Sequence, residues 1–96
     1  MQVSVRFFTV LREITGKREE NLQFAEGEKP TVSLALRKLT SRYGKDFADY
    51  VFAASGEVRG FLQFLVNGKS VAALNGLETQ LADGDVLAIV PPVGGG

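Results

Sequence analysis

Five consecutive apolar residues, Val86-Leu87-Ala88-Ile89-Val90, stand immediately before Pro91-Pro92. Such a run is apolar on both of its alternating faces, the pattern of a strand in the middle of a sheet. Fixed φ and the missing N–H of proline then stop the strand. A chain carrying this segment has to assemble other strands on either side of it. The opening residues supply the first. Val3, Val5 and Phe7 alternate with Gln2, Ser4, Arg6 and Phe8, which predicts a half-buried strand over 2–10. Thr15-Gly16-Lys17 breaks it, and Leu22 and Phe24 share one face of a second strand at 19–25. The two strands read as a hairpin with a longish loop.

A turn at Glu26-Gly27-Glu28-Lys29-Pro30 follows, and Thr31 is placed to cap a helix. Val32, Ala35, Leu36, Leu39 and Tyr43 recur at helical spacing, with Arg37, Lys38 and Arg42 mostly on the wet side. Gly44 fits the residue that ends the helix. Within 45–60, Phe47, Tyr50, Val51 and Phe52 suggest a short helix laid on the core, and Ser55-Gly56-Glu57 and Gly60 read as loop. Residues 61–66 predict a strand, Asn67-Gly68 a two-residue hairpin turn, and 69–72 a short returning strand. Asn75-Gly76 turns again, Leu77 and Leu81 plug the core from an irregular segment, and Asp83-Gly84-Asp85 makes the last tight turn. The order is β-β-α-β-β-β. One main helix between a hairpin and later strands packs across one sheet face. The expected class is α+β, a β-grasp (ubiquitin-like) domain over 1–96. Its mixed sheet has about five strands, the last beside the first in the middle.

Eleven basic and eleven acidic residues cancel, which argues against a nucleic-acid binder and gives no steering toward a membrane. The chain has no Cys and no His, so zinc, iron–sulfur and Cys/His nucleophile chemistry are excluded and packing alone stabilises the core. No leader of signal-peptide type is visible, and no apolar run approaches the roughly 18 residues of a membrane helix, so a cytoplasmic domain is expected.

The sequence closes on Val93-Gly94-Gly95-Gly96. Glycines add no packing and cost the most entropy to order. What they offer is a thin, flexible arm ending in a carboxylate, able to enter a channel too narrow for side chains. Pro91 and Pro92 read either as a stiff spacer for that arm or as a simple strand stop. Phe8 and Val90 are expected on one sheet face, joined by Leu65. Either they form an exposed apolar partner surface or the 45–60 segment covers them. Arg12, Asp83 and Asp85 are candidates for ion pairs with a partner, and for both aspartates turn chemistry before glycine is an equal reading.

Several stretches together resemble the ubiquitin-like sulfur carriers, most closely the small subunit of molybdopterin synthase. They are Phe7-Phe8, Leu11-Arg12-Glu13-Ile14-Thr15-Gly16, Thr31-Val32, Val66-Asn67-Gly68 and the closing block from Leu81-Ala82-Asp83-Gly84-Asp85-Val86 through Ala88-Ile89-Val90-Pro91-Pro92-Val93 to Gly95-Gly96. The resemblance implies that an E1-like adenylating enzyme uses ATP to activate the Gly96 carboxyl, with Gly95 leaving its approach clear. A sulfur donor protein then makes the thiocarboxylate, and the large subunit receives the loaded tail. It implies no bound cofactor and no metal, and a sulfur-donating subunit whose catalytic machinery sits on its partners. Related carriers dock through the face of Phe8, Leu65 and Val90. Where the family can offer an apolar anchor after the hairpin turn, this chain has Ser70. The same activated carboxyl also suits a protein modifier joined to lysines of targets, or a carrier for thiamine or tRNA sulfur. A β-grasp interaction domain with a passive tail is the remaining alternative. The length of the 44–60 segment favours the molybdenum branch over thiamine carriers.

Overall fold

The computed structural model describes residues 1–92; Val93, Gly94, Gly95 and Gly96 lie outside the described residues. The chain runs β1 (Gln2–Phe7), α1 (Val10–Thr15), β2 (Glu19–Gln23), α2 (Val32–Tyr43), α3 (Lys45–Val51), β3 (Gln63–Val66), β4 (Lys69–Ser70) and β5 (Val86–Val90). These strands form one five-stranded sheet in the order β2-β1-β5-β3-β4. β5 is central, as its two apolar faces require. It pairs in parallel with β1, Val5 beside Leu87 and Phe7 beside Ile89, and antiparallel with β3, Phe64 opposite Ile89. β1 pairs antiparallel with β2, and β3 with β4. Leu87 and Ile89 are fully buried beneath the helices, while Val86, Ala88 and Val90 are half-buried on the other face.

The strands expected at 19–25 and 61–66 are each two residues shorter, ending at Gln23 and starting at Gln63, and two further segments differ from the sequence reading. β1 ends at Phe7, not at residue 10, and the expected loop of the first hairpin contains α1. Leu11 of α1 is fully buried, and Gly16 closes the helix at φ 73° with its N–H donating to the Arg12 carbonyl at 2.8 Å. Fewer than two turns of helix, rich in β-branched Val10, Ile14 and Thr15, carry too weak a periodic signal to outweigh strand alternation. The returning strand at 69–72 is also shorter. β4 is two residues long, and Ser70 turns the chain into a 3₁₀ turn at Val71–Ala73 by accepting a hydrogen bond from the Ala72 N–H at 3.2 Å.

α2 forms as its pattern dictates. The Thr31 hydroxyl accepts from the Leu34 N–H at 3.1 Å, and Val32, Ala35, Leu36 and Leu39 are buried against the sheet. Gly44, at φ 80°, ends α2 and starts α3. α3 then inserts Phe47 and Val51 into the same core, on the helix side of the sheet. Phe47, Phe7 and Tyr43 meet with ring centroids 5.9–6.4 Å apart, two of the three pairs edge-on. Asn67 (φ 51°) and Gly68 (φ 83°) make the β3–β4 turn. Asn67 also ties that turn to β5. Its side-chain oxygen accepts from the Val86 N–H and its amide donates to Asp85 Oδ1, both at 2.9 Å.

The completely buried Phe47 makes α3 part of the core, so Phe47→Ala should cost about 3–4 kcal/mol in urea unfolding. A loss below about 1 kcal/mol would mean that α3 lies outside the cooperative unit.

Candidate functional site

The site begins where β5 leaves the sheet. Pro91 is buried and Pro92 exposed, and together with Phe61, Gln63 and Val90 they surround a cleft of about 180 Å³. Burial makes Pro91 part of the domain, so the spacer expected of both prolines begins at Pro92. On the sheet face away from the helices, Ala88 of β5 lies opposite Leu65 of β3, and Val90 opposite Gln63. Leu65, Ala88 and Val90 are each half-buried, giving an apolar strip that leads to Pro91. On its other side Leu65 pairs with Ser70, whose hydroxyl is occupied by its local cap. The strip is therefore polar at the position where the resemblance allows an apolar anchor.

Phe8 sits just beyond β1, next to the exit of β5, and is half-buried. It is not the bare ring that strand alternation suggested. The Arg12 guanidinium lies 5.4 Å from the ring centroid, and Arg12 Nε donates to the Phe7 carbonyl at 3.0 Å. α1, the element missed in the sequence, brings Arg12 there. Between Phe8 and α1 the chain turns at Thr9 with φ 48°, a conformation that β-branched residues rarely adopt. Arg6, Arg12 and Arg18 share a cleft of about 220 Å³ with Phe8, and Glu19 Oε1 is 3.9 Å from Arg6 Nε. The corner beside the departing strand is thus apolar at its base and positive at its rim.

Asp83 and Asp85 are not part of this corner. They lie just before β5, at the end of the strand opposite Val90, whose five residues span roughly 13 Å. Both carboxylates fasten the turn. Asp83 Oδ1 accepts from the Gln2 N–H at 2.8 Å, and Asp85 Oδ2 from the Ala82 N–H at 2.7 Å. Gly84, at φ 84°, donates to the Gln2 carbonyl, which closes the loop onto β1. Phe61 is the residue that sequence reading passed over. It is 47% exposed, stacks obliquely on Tyr50 with centroids 5.8 Å apart, and borders Pro91 and Pro92. The alternation that sends Leu65 outward also sends Gln63 and Phe61 outward, so the signal was present.

The strongest electrostatic arrangement lies elsewhere, at Glu20 on β2. Its carboxylate is buried and accepts from the Tyr43 hydroxyl, from Arg42 at 3.1 Å and from Lys17 at 3.2 Å. Burial alone would raise its pKa, but these donors prevail and hold it at about 2. Burial and the same hydrogen bond push Tyr43 up to about 12. Among the described residues no acidic group clusters as a metal site, and no helix is long and apolar enough to cross a membrane.

An antiparallel β1–β2 pair, a crossing helix and a parallel β1–β5 centre define a ubiquitin-like β-grasp protein. The chain belongs to the ThiS family, whose model matches residues 5–96. It is 34% identical over 96 residues to small archaeal modifier protein 3 of Haloferax volcanii, covering all of both chains. It is 32% identical over 97 residues to the sulfur carrier protein CysO of Mycobacterium tuberculosis, again over the whole of both. SAMP1 of H. volcanii superimposes with a TM-score of 0.85 at 29% identity over both full chains. A candidate molybdopterin converting factor subunit 1 of Pyrococcus furiosus gives 0.72 at 27% identity, covering 96% of this chain and 98% of its own. A BexX/CysO complex of Amycolatopsis orientalis gives 0.75 at 30% identity, covering 98% and 99%. The family is one of ubiquitin-like sulfur carriers and modifiers.

Glu20 supplies stability that is complete above about pH 4.5 and is lost as the pH falls toward about 2. Tyr43 supplies stability that is lost only as the pH rises from about 10 through about 12. Glu20→Gln should therefore lower stability at neutral pH by about 1–3 kcal/mol and flatten the acid limb of the pH–stability curve. An unchanged acid limb in urea titrations across that range would contradict the arrangement.

Proposed function

We propose that this protein is a sulfur carrier acting through the carboxyl group of Gly96, and that it serves as the small subunit of a molybdopterin synthase in the cytoplasm. The observation that carries the reading is the exit of the central strand. β5 passes from the middle of the sheet through Pro91-Pro92 toward Val93-Gly94-Gly95-Gly96, beside an apolar strip and a positive rim. The family match runs through residue 96.

The chemistry follows from the carboxylate. It is a poor electrophile, and attack of its oxygen on the α-phosphate of ATP gives an acyl adenylate and releases pyrophosphate. A sulfur nucleophile from a donor protein then adds to the acyl carbon and AMP leaves. With a donor persulfide as that nucleophile the product is an acyl disulfide; a thiol then attacks the donor's own sulfur, forming a disulfide with it and releasing the terminus as a thiocarboxylate. Transfer of that sulfur to an acceptor, with water restoring the oxygen, returns the carboxylate. ATP belongs to the activating enzyme, and this chain contributes the acyl group and the surface that presents it. Gly95 and Gly96 leave the acyl carbon unobstructed. Phe8, Leu65 and Val90 supply apolar contact to the large subunit, with Pro92 and Val93-Gly94 leading the tail into it. Arg12 offers its charge to an acidic partner. The relatives named for sulfur carriage and for molybdopterin conversion support this reading.

A second reading is favoured by the Haloferax relatives, which are named as modifiers. Attack of a lysine amine on the same acyl adenylate expels AMP and leaves an isopeptide bond through Gly96. The two fates share every residue of the tail and differ in the nucleophile.

Intact-mass measurement on protein purified from its native cell should show a species heavier by one oxygen-to-sulfur exchange. Gly-Gly remnants on lysines of other proteins, without that species, would favour the modifier; neither product, with the activating enzyme present, would leave a passive domain. Deleting Gly94, Gly95 and Gly96 together should leave unfolding unchanged and abolish adenylation, and an adenylated truncated chain would refute the assignment. Phe8→Asp should weaken binding of the large subunit about tenfold or more, with a stability change under about 1 kcal/mol.

A further inference from the structure

A second surface feature lies away from the end of β5. It is a groove of about 500 Å³ between the outer edge of β2 and α2. Leu22 and Leu34 form its apolar base, and Arg37, Lys38 and Arg42 line the helix side. Lys38 pairs with Glu28 at 3.1 Å and Arg42 with Glu20 at 3.1 Å. Arg37 is exposed and makes no ion pair among the described residues.

The other wall is an open sheet edge. The bonds from the Phe7 N–H to the Arg18 carbonyl and from the Phe24 N–H to the Met1 carbonyl set the β1–β2 register. Residues 18, 20, 22 and 24 therefore bond to β1, and Glu19, Asn21 and Gln23 turn their backbone groups outward. The outward N–H of Asn21 donates to Glu20 Oε1 at 3.1 Å, which leaves the N–H groups of Glu19 and Gln23 and three carbonyls for a further strand.

We propose that this groove binds an acidic, extended peptide segment of another protein, which adds to β2 as a sixth strand. Backbone bonds to Glu19, Asn21 and Gln23 would hold it, and every second side chain would face α2. Aspartate or glutamate at those alternate positions meets Arg37 and Arg42. Charge selects this occupant over the others. A second copy joined edge to edge about a twofold axis would bring two rows of Arg37 and Arg42 toward each other. A bare polyanion would meet Glu28 on the rim and find no use for the open backbone groups. The groove is two strands, roughly 10 Å, from β5, on the far side of β1 from the end of that strand. The proposal does not depend on which nucleophile the tail serves.

The test is a titration of the ¹⁵N-labelled full chain with a synthetic nonapeptide alternating Asp and Val, followed by NMR. The expected result is saturable shifts at the amides of Glu19, Gln23, Arg37 and Arg42. Arg37→Glu, at an exposed helix position, should weaken binding about tenfold while the spectrum stays folded. The same peptide N-methylated at alternate residues keeps its charge but cannot pair as a strand, and should not bind. Equal binding of the methylated peptide or of tripolyphosphate would overturn the added strand. So would insensitivity to Arg37→Glu, shifts centred on the Arg6–Arg12–Arg18 cleft, or a dimer through β2 that the peptide fails to dissociate.

Discussion

The parallel pairing of β1 with β5 is the constraint on which the rest of the molecule depends. It joins the beginning of the chain to its last described strand, side by side in the sheet's centre. Val5, Phe7, Leu87 and Ile89 are all fully buried there, so the contact that closes the fold lies inside the core. Parallel neighbours need a crossover, and everything between residues 8 and 85 serves as one, with α2 laid across the face that β1 and β5 share. The same pairing fixes the site. Because the two strands point the same way, β1 delivers Phe8, and through α1 Arg12, to the corner from which Pro91 and Pro92 depart.

That arrangement separates the sheet into two working faces. The helix side is closed by Leu36, Leu39, Phe47 and their neighbours. The other side keeps Leu65, Ala88 and Val90 half-exposed along the central strands, an apolar strip of the sort that marks a partner surface. The polar investments are mostly structural. Asp83, Asp85 and Asn67 fasten the two loops that bracket the start of β5, and Glu20 locks β2 to the end of α2. The proposed function draws on that division, with one sheet face open to partners.

Much of this was legible in the residues. The doubly apolar run at 86–90 placed the central strand, Thr31 and Gly44 bounded the helix, and Asn67-Gly68 fixed the hairpin, because each is a local rule with a direct backbone cause. The short helix within 45–60 was visible in Phe47, Tyr50, Val51 and Phe52, although its bounds were not, and Phe52 lies just past its end. α1 was not, since Val10, Ile14 and Thr15 favour strand by propensity and the segment is helical through the burial of Leu11 and the cap at Gly16. Its absence from the sequence reading also hid the seat of Arg12 over Phe8. The Glu20 network joins residues 17, 20, 42 and 43 through tertiary packing, and no spacing rule connects β2 to the end of α2. Phe61 was hidden for a different reason: an apolar residue at a strand start reads as core until the register shows which way it points.

The central claim is that the reacting group is the Gly96 carboxyl and that the folded domain only presents it. ATP–pyrophosphate exchange by the adenylating enzyme, run on the full chain with a free terminus and on a semisynthetic chain whose terminus is an amide, tests this directly. The account predicts exchange with the free acid and none with the amide. Exchange that persists with the amidated chain would place the chemistry elsewhere in the molecule and contradict it.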